Sequence, residues 1–184
     1  MRNKTVIGVV GMPGSGKSIV DAVAGKLGFS IVIMGDIIRD EVVKKGLKPT
    51  SKNIGKMMIQ VRTEEGQAAV AKKCIQKIET SKNQKIIIDG LRSLVEVKLF
   101  RKTFPKFKLL SIHSSPKTRF HRIFNRKRSD DPSNWTIFMD RDFRELSIGI
   151  GSVIAMADHV IPNDGNIRQF TSKVRSFMKK NINA

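Results

Sequence analysis

Eight consecutive residues near the start of the chain have the types and spacing that bind phosphate. Residues 11–18 match G-x-x-x-x-G-K-[ST] at every position. Glycines let main-chain N–H groups turn toward phosphate oxygens at the positive end of a helix dipole. In this pattern Lys17 reaches the β- and γ-phosphates of a nucleoside triphosphate, and the Ser18 hydroxyl ligates Mg²⁺. The predicted nucleotide-binding residues are Gly11, Met12, Pro13, Gly14, Ser15, Gly16, Lys17 and Ser18.

A phosphate-binding loop of this kind needs a carboxylate at the end of another strand to hold the metal ion. Asp89 directly follows the apolar run Ile86-Ile87-Ile88. In the middle of the chain it is the only carboxylate in such a place, and Asp158 precedes its strand and so lies at the wrong end. We therefore assign Asp89, with Ser18, to Mg²⁺ or its water shell.

Two further segments supply charges for a second substrate. Asp36 and Arg39 are three residues apart and therefore share one face of a helix. Arg92 lies just beyond the strand that ends at Asp89, where ligands gather in open α/β sheets. An arginine can fork onto a phosphate, so the sequence predicts that Asp36, Arg39 and Arg92 bind a phosphoryl acceptor.

A strongly basic stretch follows. Between Val97 and Ser129 there are 11 Lys or Arg residues and no Asp or Glu. With Arg141 further along, this stretch predicts two arginine-bearing helices that close over ATP as a lid and exclude water. Arg126, Arg128 and Arg141 are the arginines that we expect to stabilise charge during transfer, together with Lys17.

Short apolar strands alternate with helical segments along the chain. Strands are predicted at Thr5–Val10, Ile31–Ile33, Ile86–Ile88, Leu109–Ile112 and His159–Ile161. The proline-free stretch from Ser51 to Thr80 repeats apolar residues at helical spacing and predicts one or two helices, with a break at Gly66. Continuous apolar strands between helices are typical of the α/β class, with a parallel sheet covered on both faces.

Composition limits the function classes. The chain has 184 residues, a net charge of +19 and a single cysteine. The length fits one domain, and the charge attracts anions such as nucleotides or RNA. No segment approaches the about 18 apolar residues of a membrane span, and the apolar run after the basic first residues is too short for a signal peptide. With a lone cysteine, this leads us to expect a cytoplasmic protein.

These motifs resemble the adenylate-kinase branch of the P-loop kinases. The segment at residues 34–39 is similar to the nucleoside-monophosphate-binding motif T-G-D-x-[LI]-R, and residues 88–92 resemble D-G-x-P-R, one residue shorter and without its proline. More closely, the chain resembles an archaeal adenylate-kinase-related family with no settled substrate, in the segments at residues 11–17, 89–93, 128–131, 141–146 and 149–158. The resemblance implies one P-loop kinase domain over residues 1–184, with the nucleoside triphosphate hydrolase fold and a parallel five-stranded sheet. It also implies an acceptor-binding insertion at about 35–80 and a lid at about 126–144.

The segment before the last helix has a second resemblance. Residues 157–165 are similar to the A-D-x-V-I-x-N-x-G tail of dephospho-coenzyme A kinases, which contacts the adenine of ATP. By this resemblance Asn163 and Gly165 border the base. The long helical stretch from Ser51 to Thr80 and the shortened motif at residues 88–92 differ from ordinary adenylate kinases, which leaves the acceptor open.

Three functions remain. The leading hypothesis is ATP- and Mg²⁺-dependent phosphoryl transfer to a small phosphorylated acceptor, such as a nucleoside monophosphate. The second is transfer to a hydroxyl acceptor, as in dephospho-coenzyme A kinases, with Asp36 as general base. The third is an RNA- or ribosome-associated ATPase, which the net charge favours. Against the third, the chain has few aromatic residues for base stacking: ten Phe, one Trp and no Tyr.

Overall fold

Strands and helices alternate along the chain as the sequence predicts. The structure is a computed structural model that describes residues 4–127 and 131–182. Its strands are β1 (Thr5–Val10), β2 (Ser30–Ile33), β3 (Lys85–Asp89), β4 (Lys108–His113) and β5 (His159–Pro162). Its helices are α1 (Lys17–Lys26), α2 (Met34–Lys44), α3 (Ser51–Glu65), α4 (Ala69–Thr80), α5 (Leu94–Thr103), α6 (Pro116–Arg126), α7 (Trp135–Ile148), α8 (Ile150–Ala155) and α9 (Ile167–Ile182).

The five strands form one parallel sheet in the order β2-β3-β1-β4-β5. β1 lies in the middle, between β3 and β4, and Val9 of β1 is opposite Asp89 of β3. The loop after β1 therefore begins beside the carboxylate that ends β3. This arrangement confirms the predicted α/β class and the P-loop kinase-like fold.

Both faces of the sheet are apolar, because the strands are continuous apolar runs and successive side chains point to opposite faces. Val6 and Ile86 pack into a core with α2, α3, α4, α5 and α8. Ile7 and Ile87, the next residues along the same strands, pack into a second core with α1 and α9. All four side chains are fully buried. The sheet is thus covered on both faces, and the loops at its carboxyl-terminal edge are where a site can form.

The stretch from Ser51 to Thr80 forms the two helices α3 and α4. The helix break predicted at Gly66 is present: this glycine ends α3 with φ at +91°, a backbone conformation that favours glycine. Thr50 caps the start of α3 by accepting a hydrogen bond from the Asn53 amide. Together with α2, these helices occupy the chain between β2 and β3, where the acceptor-binding insertion is predicted.

None of the helices within residues 4–127 and 131–182 is long and apolar enough to cross a membrane.

Candidate nucleotide and acceptor site

The loop between β1 and α1 has the backbone geometry that an anion needs. Gly14 and Gly16 have φ values of +81° and +103°. A Cβ atom on Gly16 would lie 2.3 Å from Asn163 Nδ2, so a larger residue would also clash. Among the described residues no side chain caps the start of α1. Its first main-chain N–H groups are therefore available to phosphate oxygens at the positive end of the helix dipole.

Lys17 lies across this loop, where its ammonium Nζ donates a hydrogen bond of 2.7 Å to the Gly11 carbonyl oxygen. Burial lowers the pKa of Lys17, and the carboxylate of Asp89 acts in the opposite direction. A polyphosphate would supply the negative charge that a desolvated ammonium favours.

Two carboxylates from different elements lie near Lys17. Asp89 ends β3 and Asp21 lies on α1, four residues after Lys17 and hence on the same helix face. In each, the Oδ1 atom is buried and has no hydrogen-bond partner among the described residues. Burial raises the pKa of Asp89, and burial together with the charge of Asp89 raises the pKa of Asp21 to about 7.

These two unpartnered oxygens and the exposed Ser18 hydroxyl fit a divalent cation. Mg²⁺ prefers oxygen ligands from one or two carboxylates together with water and phosphate. Its charge would also relieve the repulsion between Asp21 and Asp89. The donor set is therefore of the right chemistry for the predicted metal.

One cleft of about 640 Å³ joins most of the predicted site residues. Its charged lining has twice as many cations as carboxylates, so it attracts anions. The cations are Lys17, Arg39, Arg92, Arg122, Arg126 and Arg141, and the carboxylates are Asp21, Asp89 and Glu145. Pro13, Gly14, Gly16, Ser18 and Asn163 also line it.

The other predicted residues do not line this cleft or fall outside the described residues. Gly11 and Ser15 are buried in the loop, and Met12 packs against the apolar core on one face of the sheet. Asp36 forms an ion pair with Arg39, as their spacing indicates. Gly165 lies in the exposed turn before α9. Arg128 falls outside the described residues, so its predicted role in the lid stays a prediction.

The cleft arginines from the acceptor and lid segments have carboxylate partners. Arg92 Nε donates to Glu145 Oε2 at 2.9 Å, and Arg126 Nη2 donates to Asp131 Oδ1 at 2.5 Å. Arg141 also approaches Asp131, at 4.0 Å. Bound substrate anions would therefore compete with, or add to, contacts that the protein already makes.

A buried polar network supports the phosphate-binding loop from behind. Arg119 pairs with Asp142 of α7 and donates to the Pro13 and Ser114 carbonyl oxygens. Asn163 Nδ2 donates to the Ser15 carbonyl oxygen at 2.8 Å. The predicted contact between Asn163 and adenine stays a prediction, and the structure places this side chain under the loop.

The sequence does not single out three charged residues of the cleft: Asp21, Arg122 and Glu145. Asp21 has a local signal, because a residue four positions after Lys17 on a helix must share its face. Arg122 donates to the Asn163 carbonyl oxygen at 2.7 Å, and Glu145 contacts Arg92 across 53 residues of chain. Neither of these contacts has a signal in local spacing.

Comparisons with known proteins identify the family of this chain. Residues 10–137 match the family described as an AAA domain. A UPF0200 protein from Methanothermobacter thermautotrophicus is 43% identical over 97% of this chain and 91% of its own length. A UPF0200 protein from Thermococcus gammatolerans is 45% identical over 96% of this chain and 95% of its own length.

Two solved structures share the fold at low sequence identity. The crystal structure of TT1252 from Thermus thermophilus has a TM-score of 0.65 at 14% identity and covers 97% of this chain and 98% of its own. The shikimate kinase from Bacteroides thetaiotaomicron has a TM-score of 0.61 at 15% identity, with 96% and 97% covered. These two support the fold alone. The match to the relatives extends over nearly the whole chain, and the protein therefore belongs to the UPF0200 family, with an AAA domain over residues 10–137.

Proposed function

We propose that the protein is an ATP-dependent kinase that transfers the γ-phosphoryl group of ATP to a small phosphorylated acceptor, of the nucleoside monophosphate class. One observation supports this most directly. Among the described residues, a single cleft joins the start of α1, which no side chain caps, the half-buried Lys17, and two carboxylates that each have one buried oxygen without a hydrogen-bond partner. Arginines from the insertion side and the lid side line the same cleft. Phosphoryl transfer requires little covalent chemistry from the protein. The charged groups of this cleft can position the phosphates and neutralise their negative charge.

Each group has a role in this proposal. The N–H groups of the loop and Lys17 bind the β- and γ-phosphates. Ser18 and Asp89, with Asp21 nearby, would hold Mg²⁺, which neutralises phosphate charge when bound. Arg39 and Arg92 orient the acceptor. Arg126, Arg128 and Arg141 are proposed to stabilise the negative charge that spreads over the transferred group.

The test follows ADP release from Mg·ATP in the presence of single acceptors. The panel contains AMP, CMP, GMP and UMP, dephospho-coenzyme A, and shikimate, because a structural neighbour is named a shikimate kinase. Stimulation by one nucleoside monophosphate supports the proposal. Slow hydrolysis that no acceptor changes contradicts transfer and favours an ATPase.

Lys17→Ala is the control for the nucleotide. The variant should lose ATP binding and turnover because the ammonium over the loop is gone. If it binds and turns over ATP as the wild type does, the nucleotide site has been misassigned.

Asp36 separates the two kinds of acceptor. A phosphate acceptor is nucleophilic at neutral pH and needs no general base, whereas a hydroxyl acceptor gains from one. Asp36 pairs with Arg39, which lines the cleft, so it lies beside the proposed acceptor-binding residues. Turnover of Asp36→Asn within a few-fold of the wild type excludes the version in which Asp36 is the base. A much larger loss, with acceptor affinity kept, supports it.

A second candidate is an RNA-associated ATPase. Besides the net charge of +19, α9 has five Lys or Arg residues and no Asp or Glu. Such a helix would contact a phosphate backbone, and binding would weaken steeply between about 50 and 200 mM salt. Negligible RNA binding at the lower salt concentration would remove this candidate.

A further inference from the structure

Arg92, which is proposed to bind the acceptor, already forms an ion pair with a carboxylate of the protein itself. Glu145 accepts hydrogen bonds from Arg92 Nε at 2.9 Å and from Arg92 Nη2 at 3.5 Å. Both donors lie on one edge of the guanidinium. This edge offers two parallel N–H groups to an anion with two oxygens, whether a carboxylate or a phosphate. Glu145 thus fills the place where a substrate anion would bind.

The pair lies inside the cleft and not on a distant surface. Arg92 and Glu145 both line it, and their side chains are 30% and 15% exposed. The two charges act on the pKa of Lys17 in opposite directions, which places the pair within electrostatic reach of the phosphate-binding loop. A ligand that enters the cleft therefore meets this ion pair.

Arg92 does not need Glu145 to hold its backbone. The Arg92 amide donates to Glu96 Oε2 at 2.9 Å, and Glu96 is buried in the capping box that begins α5. α7 is held independently as well, because Asp142 forms its buried pair with Arg119. The Glu145 side chain can therefore leave Arg92 without displacing the loop or the helix.

We propose that Glu145 is a specificity-determining residue that stands in for the anionic group of the acceptor, and that a phosphate or carboxylate of the acceptor replaces it on Arg92. This inference rests on the proposed function. A neutral acceptor cannot take the place of a carboxylate on a guanidinium without leaving a partly buried charge unpaired. The site therefore selects acceptors that carry an anion.

The experiment measures anion binding with the phosphate-binding loop already filled. Protein saturated with Mg²⁺ and a non-hydrolysable ATP analogue is titrated with inorganic phosphate, and heat is measured by calorimetry. Removing the competing carboxylate in Glu145→Gln should tighten phosphate binding about fivefold, since a partly exposed ion pair is worth about 1 kcal/mol. Glu79→Gln, the same change on an exposed residue of α4, should leave binding unchanged.

A double variant excludes a general effect of charge. Glu145→Gln combined with Arg92→Gln should lose the gain, because the guanidinium that receives the phosphate is absent. Fluorescence of Trp135, the only tryptophan of the chain and the first residue of α7, together with the melting temperature, checks that each variant is folded.

Several results would overturn the inference. These are equal or weaker phosphate binding by Glu145→Gln, a gain that persists in the double variant, and no phosphate binding by either wild type or Glu145→Gln. Repeating the titration with shikimate distinguishes the sources: a gain for phosphate alone supports a phosphorylated acceptor, and a gain for both anions supports a site that accepts a carboxylate as well. A failure of the ATP analogue to bind contradicts the proposed function instead, and is seen before any phosphate is added.

Discussion

Removal of Asp142 should destabilise the protein far more than removal of an ordinary surface carboxylate. Asp142 receives two hydrogen bonds from Arg119, at 2.8 and 2.5 Å, and the two side chains are 6% and 4% exposed. The guanidinium also lies 5.1 Å from the centre of the Phe138 ring. Asp142→Ala would leave this buried cation without its carboxylate, in a place that water reaches poorly.

The size of the effect follows from that burial. Breaking a buried ion pair by deleting one partner costs about 3–5 kcal/mol of the free energy of unfolding. For a chain of this length each kcal/mol lowers the melting temperature by about 2–4 °C, so the expected fall is roughly 6–20 °C. Arg119 also holds the Pro13 carbonyl oxygen, at 3.2 Å. Affinity for an ATP analogue, measured well below the melting temperature, should therefore fall too.

Urea unfolding followed by circular dichroism measures the free energy directly. Asp140→Ala is the matched control, because Asp140 is an exposed residue of the same helix, and it should change stability by no more than about 0.5 kcal/mol. Replacing both partners, by Arg119→Met and Asp142→Leu, should cost less than Asp142→Ala alone, since no charge remains buried. If Asp142→Ala loses no more than its control, the pair is not desolvated and the reasoning is refuted.

Three other predictions concern the carboxyl-terminal edge of the sheet and the helices that begin there. The raised pKa of Asp21, about 7, means that from about pH 4 to about pH 7 the folded protein keeps a proton that the unfolded chain has released. Without added divalent cation, stability should therefore fall as pH rises through this range, and Asp21→Asn should reduce that slope in urea unfolding; an unchanged slope would contradict the assignment. Ser93→Ala removes the cap of α5 and should cost about 1 kcal/mol by the same assay, and a neutral result would show that the cap is dispensable. Gly16→Ala should lower both stability and ATP-analogue affinity, because its Cβ would clash with Asn163. Gly25→Ala, in an open part of α1, should instead stabilise the protein by about 0.5–1 kcal/mol. Similar effects of the two substitutions would refute the strain argument.

Most of the fold was predictable because its signals are local. β-branched runs such as Ile86-Ile87-Ile88 predict buried strands, and Gly66 ends a helix where the sequence indicates a break. The strand order was not predictable in this way. Nothing in the residues of β1 states that β3 and β4 are its neighbours, because that choice depends on how the helices cover the two faces.

Part of the candidate site was predictable for a topological reason. Parallel strands bring their carboxyl ends to one edge, so the loop after β1 and Asp89 at the end of β3 were expected at the same edge, and the pairing of β1 with β3 makes them neighbours. The partners of the arginines were not predictable. Glu145 is 53 residues from Arg92, and Asp142 is 23 residues from Arg119. Spacing at this range carries no information on contact, since only the packed helices bring these side chains together.

Both of these long-range pairs involve one helix, and their burial differs in a way that bears on function. Asp142 and Arg119 are almost fully buried, so no substrate atom can replace either partner. Glu145 and Arg92 are partly exposed in the cleft, so an anion from solution can. α7 thus has one permanent and one exchangeable attachment, on residues three positions apart and hence on the same helix face. An acceptor that removes the exchangeable attachment leaves α7 held beside the phosphate-binding loop, so the proposed selection at Arg92 requires no unfolding of the lid.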